Sequence, residues 1–527
     1  MRPILLLVAL VALASSAVVP RTRRNRAASR AIIQHMLTKG LYSEVSVEAS
    51  SSSDRDERIV VENYFTTRLN HFNHQQREDW TLRYLSVTEH YRPGGPILIR
   101  LSGNGPVRRD MINESSLITE LAREMGGAVY AFETRFYGMS KPTNDVNTEI
   151  MRFLKTDQIM ADLVEFIIYL KRDVFRDENM PVLVSGAGYG GALATWFRVR
   201  YPHMGDAAWS SGGYHEAVLD FSDFAESWSE TLIEHGSQQC YNELFVAFNV
   251  MQNLIDIGLT DMLYEKLNIC TEIDPEDSLQ VQYFFSTLMT AVEMHTLRNR
   301  NLTDFSTFCD ELLSTKATTA VEAFTTWFNS RFTEDEGCIV TDLQTVVDAF
   351  RETDWDSPFV ANGARQWMYQ QCAEFGWFQT TNSAYQPFGN RVTVELHAEI
   401  CRMVFGEWAT EETILQAAER TNNRFAALTP NTRRIHFTSG SEDPWRAVTI
   451  REDLGGRATA DVIPGILSGS EMKAITENDS EELRAAKRRI KTVLKDYILR
   501  PSGGGNPGGP GGPGGPGGPG WAENKRL

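Results

Sequence analysis

Pro181-Val182-Leu183-Val184-Ser185-Gly186-Ala187-Gly188-Tyr189-Gly190-Gly191 passes from an apolar run into a cluster of small residues, and Ala192 to Arg200 follows with helix-forming side chains. The order reads as a buried strand, a tight turn and a helix. Gly186 to Gly190 fits the frame G-x-S-x-G of a nucleophile elbow, in which a serine stands at the apex of the turn. Here the apex residue is Gly188. The frame is present and its hydroxyl is missing.

The neighbouring segments agree with the strand–helix reading. Residues 96–101 (Pro-Ile-Leu-Ile-Arg-Leu) form a short apolar run that stops at Ser102-Gly103-Asn104-Gly105-Pro106, and 128–132 (Ala-Val-Tyr-Ala-Phe) form another. Apolar residues between Ile159 and Leu170 recur at helical spacing. Strands alternating with helices predict an α/β fold with a mainly parallel sheet covered on both faces. Between 216 and 355 the character changes: Leu244, Phe245, Phe248, Met251 and Leu254 recur at three and four, as in a helical insertion. Residues 434–438 and 460–463 read as returning strands. Residues 480–499 form an amphipathic helix, with Leu483, Ala486, Ile490, Leu494 and Tyr497 on one face and Ser480 as its N-cap.

The flanks carry different signals. Arg2, the apolar stretch from Ile4 to Leu13 and Ser15-Ser16-Ala17 predict a signal peptide over 1–17, and hence a secreted or lysosomal protein. That stretch is too short to span a membrane, and no other such run occurs. Residues 18–57 read as a flexible leader, in which Arg21-Thr22-Arg23-Arg24 fits either a convertase site or a solvated charge run. From Pro501 to Leu527 a Gly-Gly-Pro repeat predicts an extended spacer. A formal charge of -17 argues against a nucleic-acid partner. Six cysteines, none in C-x-x-C spacing, suggest three disulfides rather than zinc, and no metal or cofactor is implied. Sequons at Asn113, Asn301 and Asn478 agree with a secretory route.

Several segments together resemble one family, the secreted and lysosomal serine peptidases that include prolylcarboxypeptidase, dipeptidyl peptidase II and thymus-specific serine protease. Gly94-Gly95-Pro96 and Gly103-Asn104-Gly105-Pro106 resemble its G-G-P and G-E-G-P turns, and Glu133-Thr134-Arg135-Phe136-Tyr137-Gly138-Met139-Ser140 its E-H-R-F-Y-G-x-S. The elbow run through Trp196-Phe-Arg-Val-Arg-Tyr-Pro-His203 is similar to G-G-S-Y-G-G followed by W-F-R-x-K-Y-P-H. Trp367-Met-Tyr-Gln-Gln-Cys-Ala-Glu-Phe-Gly376 and Gly440-Ser-Glu-Asp-Pro-Trp445 resemble W-x-Y-Q-x-C-x-E-F-G and G-x-x-D-P-W. The matches keep the family's order from about 60 to 500.

The resemblance implies an α/β-hydrolase domain (58–215 and 356–500) interrupted by a disulfide-linked helical cap (216–355), with a Ser, Asp, His triad in that order. Asp443 stands at the acid position. Gly188 stands where the nucleophile belongs, and Ser468 where the histidine belongs, in Ile463-Pro-Gly-Ile-Leu-Ser-Gly469. None of the ten histidines follows Asp443. Ser185, Ser210 and Ser211 have no histidine placed by sequence to activate them, and His436 reads as a sheet histidine. Tyr189, Gly103 and Glu374 are candidate remnants of the oxyanion hole and cleft, with Trp377 beside them. Thr134, Asn104 and Ser439 depart from the family at positions expected to line or buttress that cleft. The resemblance also implies the pairs Cys240–Cys309, Cys270–Cys338 and Cys372–Cys401. The expected function is a secreted homologue without hydrolysis that binds peptide or protein, or pairs with an active relative or itself. The alternative is an active exopeptidase of proline-containing peptides with another nucleophile.

Overall fold

Among the described residues, ten strands appear in chain order: β1 (Val61–Arg68), β2 (Asp79–Val87), β3 (Ile97–Leu101), β4 (Ala128–Phe132), β5 (Val182–Ala187), β6 (Ala207–Ser211), β7 (Val218–Asp220), β8 (Gly376–Phe378), β9 (Ile435–Gly440) and β10 (Ala458–Ile463). They come from a computed structural model that describes residues 59–297, 300–332, 338 and 340–499. The expected signal peptide, leader and Gly/Pro tail lie outside the described residues. Eight strands form one sheet in the order β1-β2-β4-β3-β5-β6-β9-β10. β1 and β2 are antiparallel to their neighbours, and every pairing from β4 to β10 is parallel. This is the α/β-hydrolase architecture.

Side-chain alternation divides the sheet between two cores. Ile97, Ile99 and Leu101 face one and Leu98 the other; Val182 and Val184 join the first and Leu183 the second. A strand buried on both faces must read as an apolar run, as β3 and β5 do. The second core is closed by the helices Leu117–Met125 and Glu481–Leu499, which bury Leu121, Ala486, Ile490 and Leu494. The first is closed by the helices Thr156–Tyr169 and Tyr189–Arg200 and continues into the insertion.

The insertion is a layer of helices, among them Asp223–His235, Gln238–Asp256, Ser278–Leu297, Thr303–Leu313 and Ala320–Phe332. The helical character runs beyond 355: Val394–Phe405 and Glu411–Phe425 follow, and the chain re-enters the sheet only at Ile435. These later helices bind the layer to the elbow, since Phe425 stacks on Trp196 of the helix Tyr189–Arg200 at 4.7 Å between ring centroids. Disulfides join Cys240 to Cys309, Cys270 to Cys338 and Cys372 to Cys401, the pairs the resemblance implies.

The turn after β5 depends on glycine for close approach. A Cβ on Gly186 would lie 2.2 Å from the carbonyl carbon of Gly190, and one on Gly190 would lie 3.0 Å from the carbonyl oxygen of Leu101. Gly186→Ala is therefore expected to cost about 3 kcal/mol, because backbone must move on both sides. Gly188→Ala, which places a side chain at a φ of 51°, should cost about 1 kcal/mol. Urea midpoints at constant m-value check the order of the two.

Candidate functional site

Gly188 sits between β5 and the helix Tyr189–Arg200 with φ 51° and ψ −121°, a conformation that a side chain strains and glycine adopts freely. Its N–H donates to the carbonyl of Ser211 at 2.9 Å, which ties the apex to the end of β6. Tyr189 opens the helix, so its N–H has no intrahelical acceptor. Gly103, with φ 70°, lies in the turn after β3, and its nitrogen is 3.4 Å from the point a Cβ on Gly190 would occupy. An oxyanion hole in such a fold draws one N–H from the residue after the apex and one from the loop after β3. Tyr189 follows the apex, and Gly103 lies in the loop after β3.

Asp443 and Ser468 meet on the other side of β6. Asp443 Oδ1 accepts the N–H of Trp445 at 2.9 Å, and Oδ2 accepts the N–H of Ser468 at 3.1 Å. The hydroxyl of Ser468 accepts the N–H of Gly440 at 3.0 Å, and its carbonyl accepts a guanidinium N–H of Arg300 at 2.6 Å. Gly212 packs against both: a Cβ there would lie 2.5 Å from the Cβ of Ser468 and 3.4 Å from Asp443 Oδ2. Ser211 and Gly212 thus connect Gly188 to the Asp443–Ser468 pair. Acyl transfer needs a nucleophile and a base to take its proton. Gly188 has no side chain, and a serine hydroxyl cannot act as a base near neutral pH.

The sequence places no histidine to activate the alternative serines, but the fold brings one beside Ser210. His215 Nε2 lies 3.1 Å from Ser210 Oγ and 3.1 Å from Thr195 Oγ1. The geometry nevertheless opposes activation. His215 Nδ1 accepts the N–H of Ile450 at 3.1 Å, so the ring proton sits on Nε2, which donates to these oxygens. Burial pushes the His215 pKa down to about 3, and Ser210 is itself fully buried. Ser185 donates to the carbonyl of Ile99 at 3.1 Å inside the sheet. His436 lies in β9, and its Nδ1 is 2.9 Å from Thr459 Oγ1.

Glu374 reaches the hydrolase layer and caps a helix there. Its carboxylate accepts the N–H of Thr156 at 3.0 Å and the Thr156 hydroxyl at 3.1 Å, at the start of the helix Thr156–Tyr169. Burial pushes its pKa up to about 7, against the opposing pull of those two donors. The Tyr189 hydroxyl accepts from Gln370 at 2.8 Å, and Gln370 accepts from Tyr137 at 2.6 Å. Trp377 is buried, with its indole N–H on the carbonyl of Glu216 at 2.7 Å. Thr134, Asn104 and Ser439 are interior, at 0%, 5% and 1% exposure.

Sequence reasoning missed Glu471. Fully buried, it accepts the hydroxyls of Ser211 and Thr438, each at 2.6 Å, through Oε1, and the N–H of Gly469 at 2.9 Å through Oε2. It fixes the end of β6 against the loop of Ser468. Its closeness to Ser468 in sequence is the only signal that could have found it.

The profile of the family described as serine carboxypeptidase S28 matches residues 67–490. The chain belongs to this family. A putative serine protease of Caenorhabditis elegans is 26% identical over 456 residues, covering 83% of this chain and 88% of that one. The thymus-specific serine protease of Mus musculus is 26% identical over 455 residues, covering 82% and 86%. Among solved structures, a proline iminopeptidase of Mycobacterium smegmatis aligns with 12% identity and a TM-score of 0.34, over 83% of this chain and 99% of that one. In this S28 member no helix among the described residues is long and apolar enough to cross a membrane.

Two buried carboxyls set a pH dependence for the fold. Burial raises Glu293 to about 8 and Glu374 to about 7, whereas the ordinary value is 4.5. Between pH 6.5 and 8 the folded chain therefore holds protons the unfolded chain has released, and stability falls as pH rises. His215 and His397, pushed down to about 3 and 4, act with the opposite sign below about pH 6.5. The melting temperature should drop from pH 6.5 to pH 8, and Glu293→Gln with Glu374→Gln should flatten that slope in a thermal scan.

Proposed function

We propose that this S28 member is a secreted, non-hydrolysing homologue that binds peptide or protein in the cleft between hydrolase layer and cap, alone, as a homodimer or beside an active relative. One observation carries the reading: the elbow apex is Gly188, and Ser468 faces Asp443 where a base would stand. The elbow geometry costs glycine little, so the fold does not depend on a side chain at the apex. Triads stripped of their members leave about 10³–10⁴-fold acceleration over water, too little to turn over peptide bonds on a biological timescale. Tyr189, Gly103 and Asp443 keep the supporting positions. The three disulfides support an oxidising compartment. The alternative, an exopeptidase acting through Ser210, is opposed by the direction of the His215 hydrogen bonds.

A fluorophosphonate probe should leave the wild-type chain unlabelled. Gly188→Ser combined with Ser468→His should become labelled and hydrolyse proline-containing peptides roughly 10²-fold or more faster than wild type. Labelling of wild type that Ser210→Ala or Ser185→Ala abolishes would overturn the reading.

Glycan placement tests the secretory route. Asn301 and Asn478 are exposed. Asn113, expected from its sequon to carry a glycan, is 4% exposed, and its Oδ1 is held by the N–H and hydroxyl of Ser115 at 3.0 and 2.6 Å. Enzymatic deglycosylation in heavy-oxygen water should mark Asn301 and Asn478 and leave Asn113 unmarked.

A further inference from the structure

Glu293 stands apart from the other buried carboxylates. Glu133 accepts from Arg83, Val107, Met139 and Ser140. Asp162 accepts from Arg135 and Thr67, and Glu471 from Ser211, Thr438 and Gly469. Glu293, 1% exposed on the helix Ser278–Leu297, has no hydrogen-bond partner for Oε1. Buried polar atoms without a hydrogen-bond partner are rare in native folds.

Glu293 lines a cavity of about 140 Å³ between the helix Ser278–Leu297 and residues 359–445. Trp367, Trp377 and Trp445 form part of its wall. The other titratable side chains there are Tyr283 and His397, and no lysine, arginine or second acid is among the lining residues. His397 contributes no positive charge near neutral pH, because burial pushes it down to about 4, and its Nε2 lies 3.0 Å from the carbonyl of Gln379. Gly188, Asp443 and Ser468 are not in the lining.

We propose that this cavity is a binding site for a primary ammonium group on a short alkyl stem, with Glu293 as its counter-ion and hydrogen-bond acceptor. The volume matches a guest of about benzene size, since an engineered cavity of about 150 Å³ holds benzene. Indole faces attract a cation, and an ammonium supplies the donors that Glu293 lacks. A neutral apolar guest would leave the carboxyl unsatisfied, and an anion would be repelled by it. The ammonium can belong to a free amine or to a lysine side chain of a bound peptide. The free-amine arm stands independently of the loss of hydrolysis; the lysine arm rests on the peptide-binding reading.

Binding is coupled to a proton. With its pKa raised to about 8 by burial, Glu293 is protonated in the empty cavity at neutral pH and must release that proton to hold an ammonium. An alkylammonium stays charged, as lysine does up to about pH 10. Affinity should therefore strengthen roughly tenfold per pH unit from pH 6 to pH 8 and then level off.

The test is calorimetric titration of the full chain with n-butylammonium chloride, n-butanol, and a short peptide carrying lysine or its ε-acetylated form. The expected result is saturable binding of n-butylammonium with release of one proton below pH 8. Binding of n-butanol should be at least tenfold weaker, and Glu293→Gln, its fold checked by thermal melting, should lose at least tenfold in affinity. Binding of the lysine peptide but not its acetylated form assigns the site to a side chain; binding of n-butylammonium alone assigns it to a free amine. No binding of either ammonium, equal binding of n-butanol, or unchanged affinity in Glu293→Gln would overturn the proposal. Loss of the peptide arm with retention of n-butylammonium would count against peptide binding and leave the amine site standing.

Discussion

The helix Tyr189–Arg200 approaches the sheet more closely than side chains on its first turn would allow, and the site is arranged around that approach. A Cβ on Gly186 would lie 2.2 Å from the Gly190 carbonyl carbon, so the turn cannot close with a side chain there, and Gly190 and Gly191 pack tightly against Leu101 and Ser210. Closure sets the first helical N–H groups beside the turn of Gly103 and brings Gly188 under the carbonyl of Ser211. Ser211 and Gly212 then carry the register across to Ser468 and Asp443. A chain can lose its reacting groups and still keep this arrangement, because backbone contacts hold it rather than the chemistry.

Buried polar groups hold the surrounding loops in the same way. The Arg135 guanidinium donates to both oxygens of Asp162 at 2.6 and 2.7 Å and to the carbonyls of Arg68, Leu69 and Phe153. Burial works to raise Asp162, but Arg135 and His71 hold its carboxyl below the ordinary value. Glu133, directly after β4, gathers Arg83 of β2, Val107, Met139 and Ser140. Such pairs are expensive to desolvate and stable only when every lone pair and proton is used. Glu293 has no comparable set of donors, which makes it informative about a ligand.

Much of the architecture was legible because burial on both faces leaves a local mark. β3, β4 and β5 read as apolar runs, and the helix Glu481–Leu499 as a stripe of period 3.6. β1 was less legible, since it is an edge strand with Glu62, Thr66 and Arg68 exposed. Helices also continue past residue 355: Glu411–Phe425 buries Ile414, Ala417, Ala418, Thr421 and Phe425 at helical spacing, and Phe425 stacks on Trp196 of the elbow helix.

By itself the sequence determined the residues available for chemistry: a glycine at the apex, an acid at Asp443 and no histidine beyond it. That inventory holds however the chain folds. Only the tertiary structure decided which groups meet. His215 reaches Ser210 but has its proton direction set by Ile450, 235 residues away, and Ser211 finds Glu471 across 260 residues. The accessibility of Asn113 and the missing donor at Glu293 were decided there too. Burial and hydrogen-bond direction arise from segments far apart in the chain, and local composition carries no record of them.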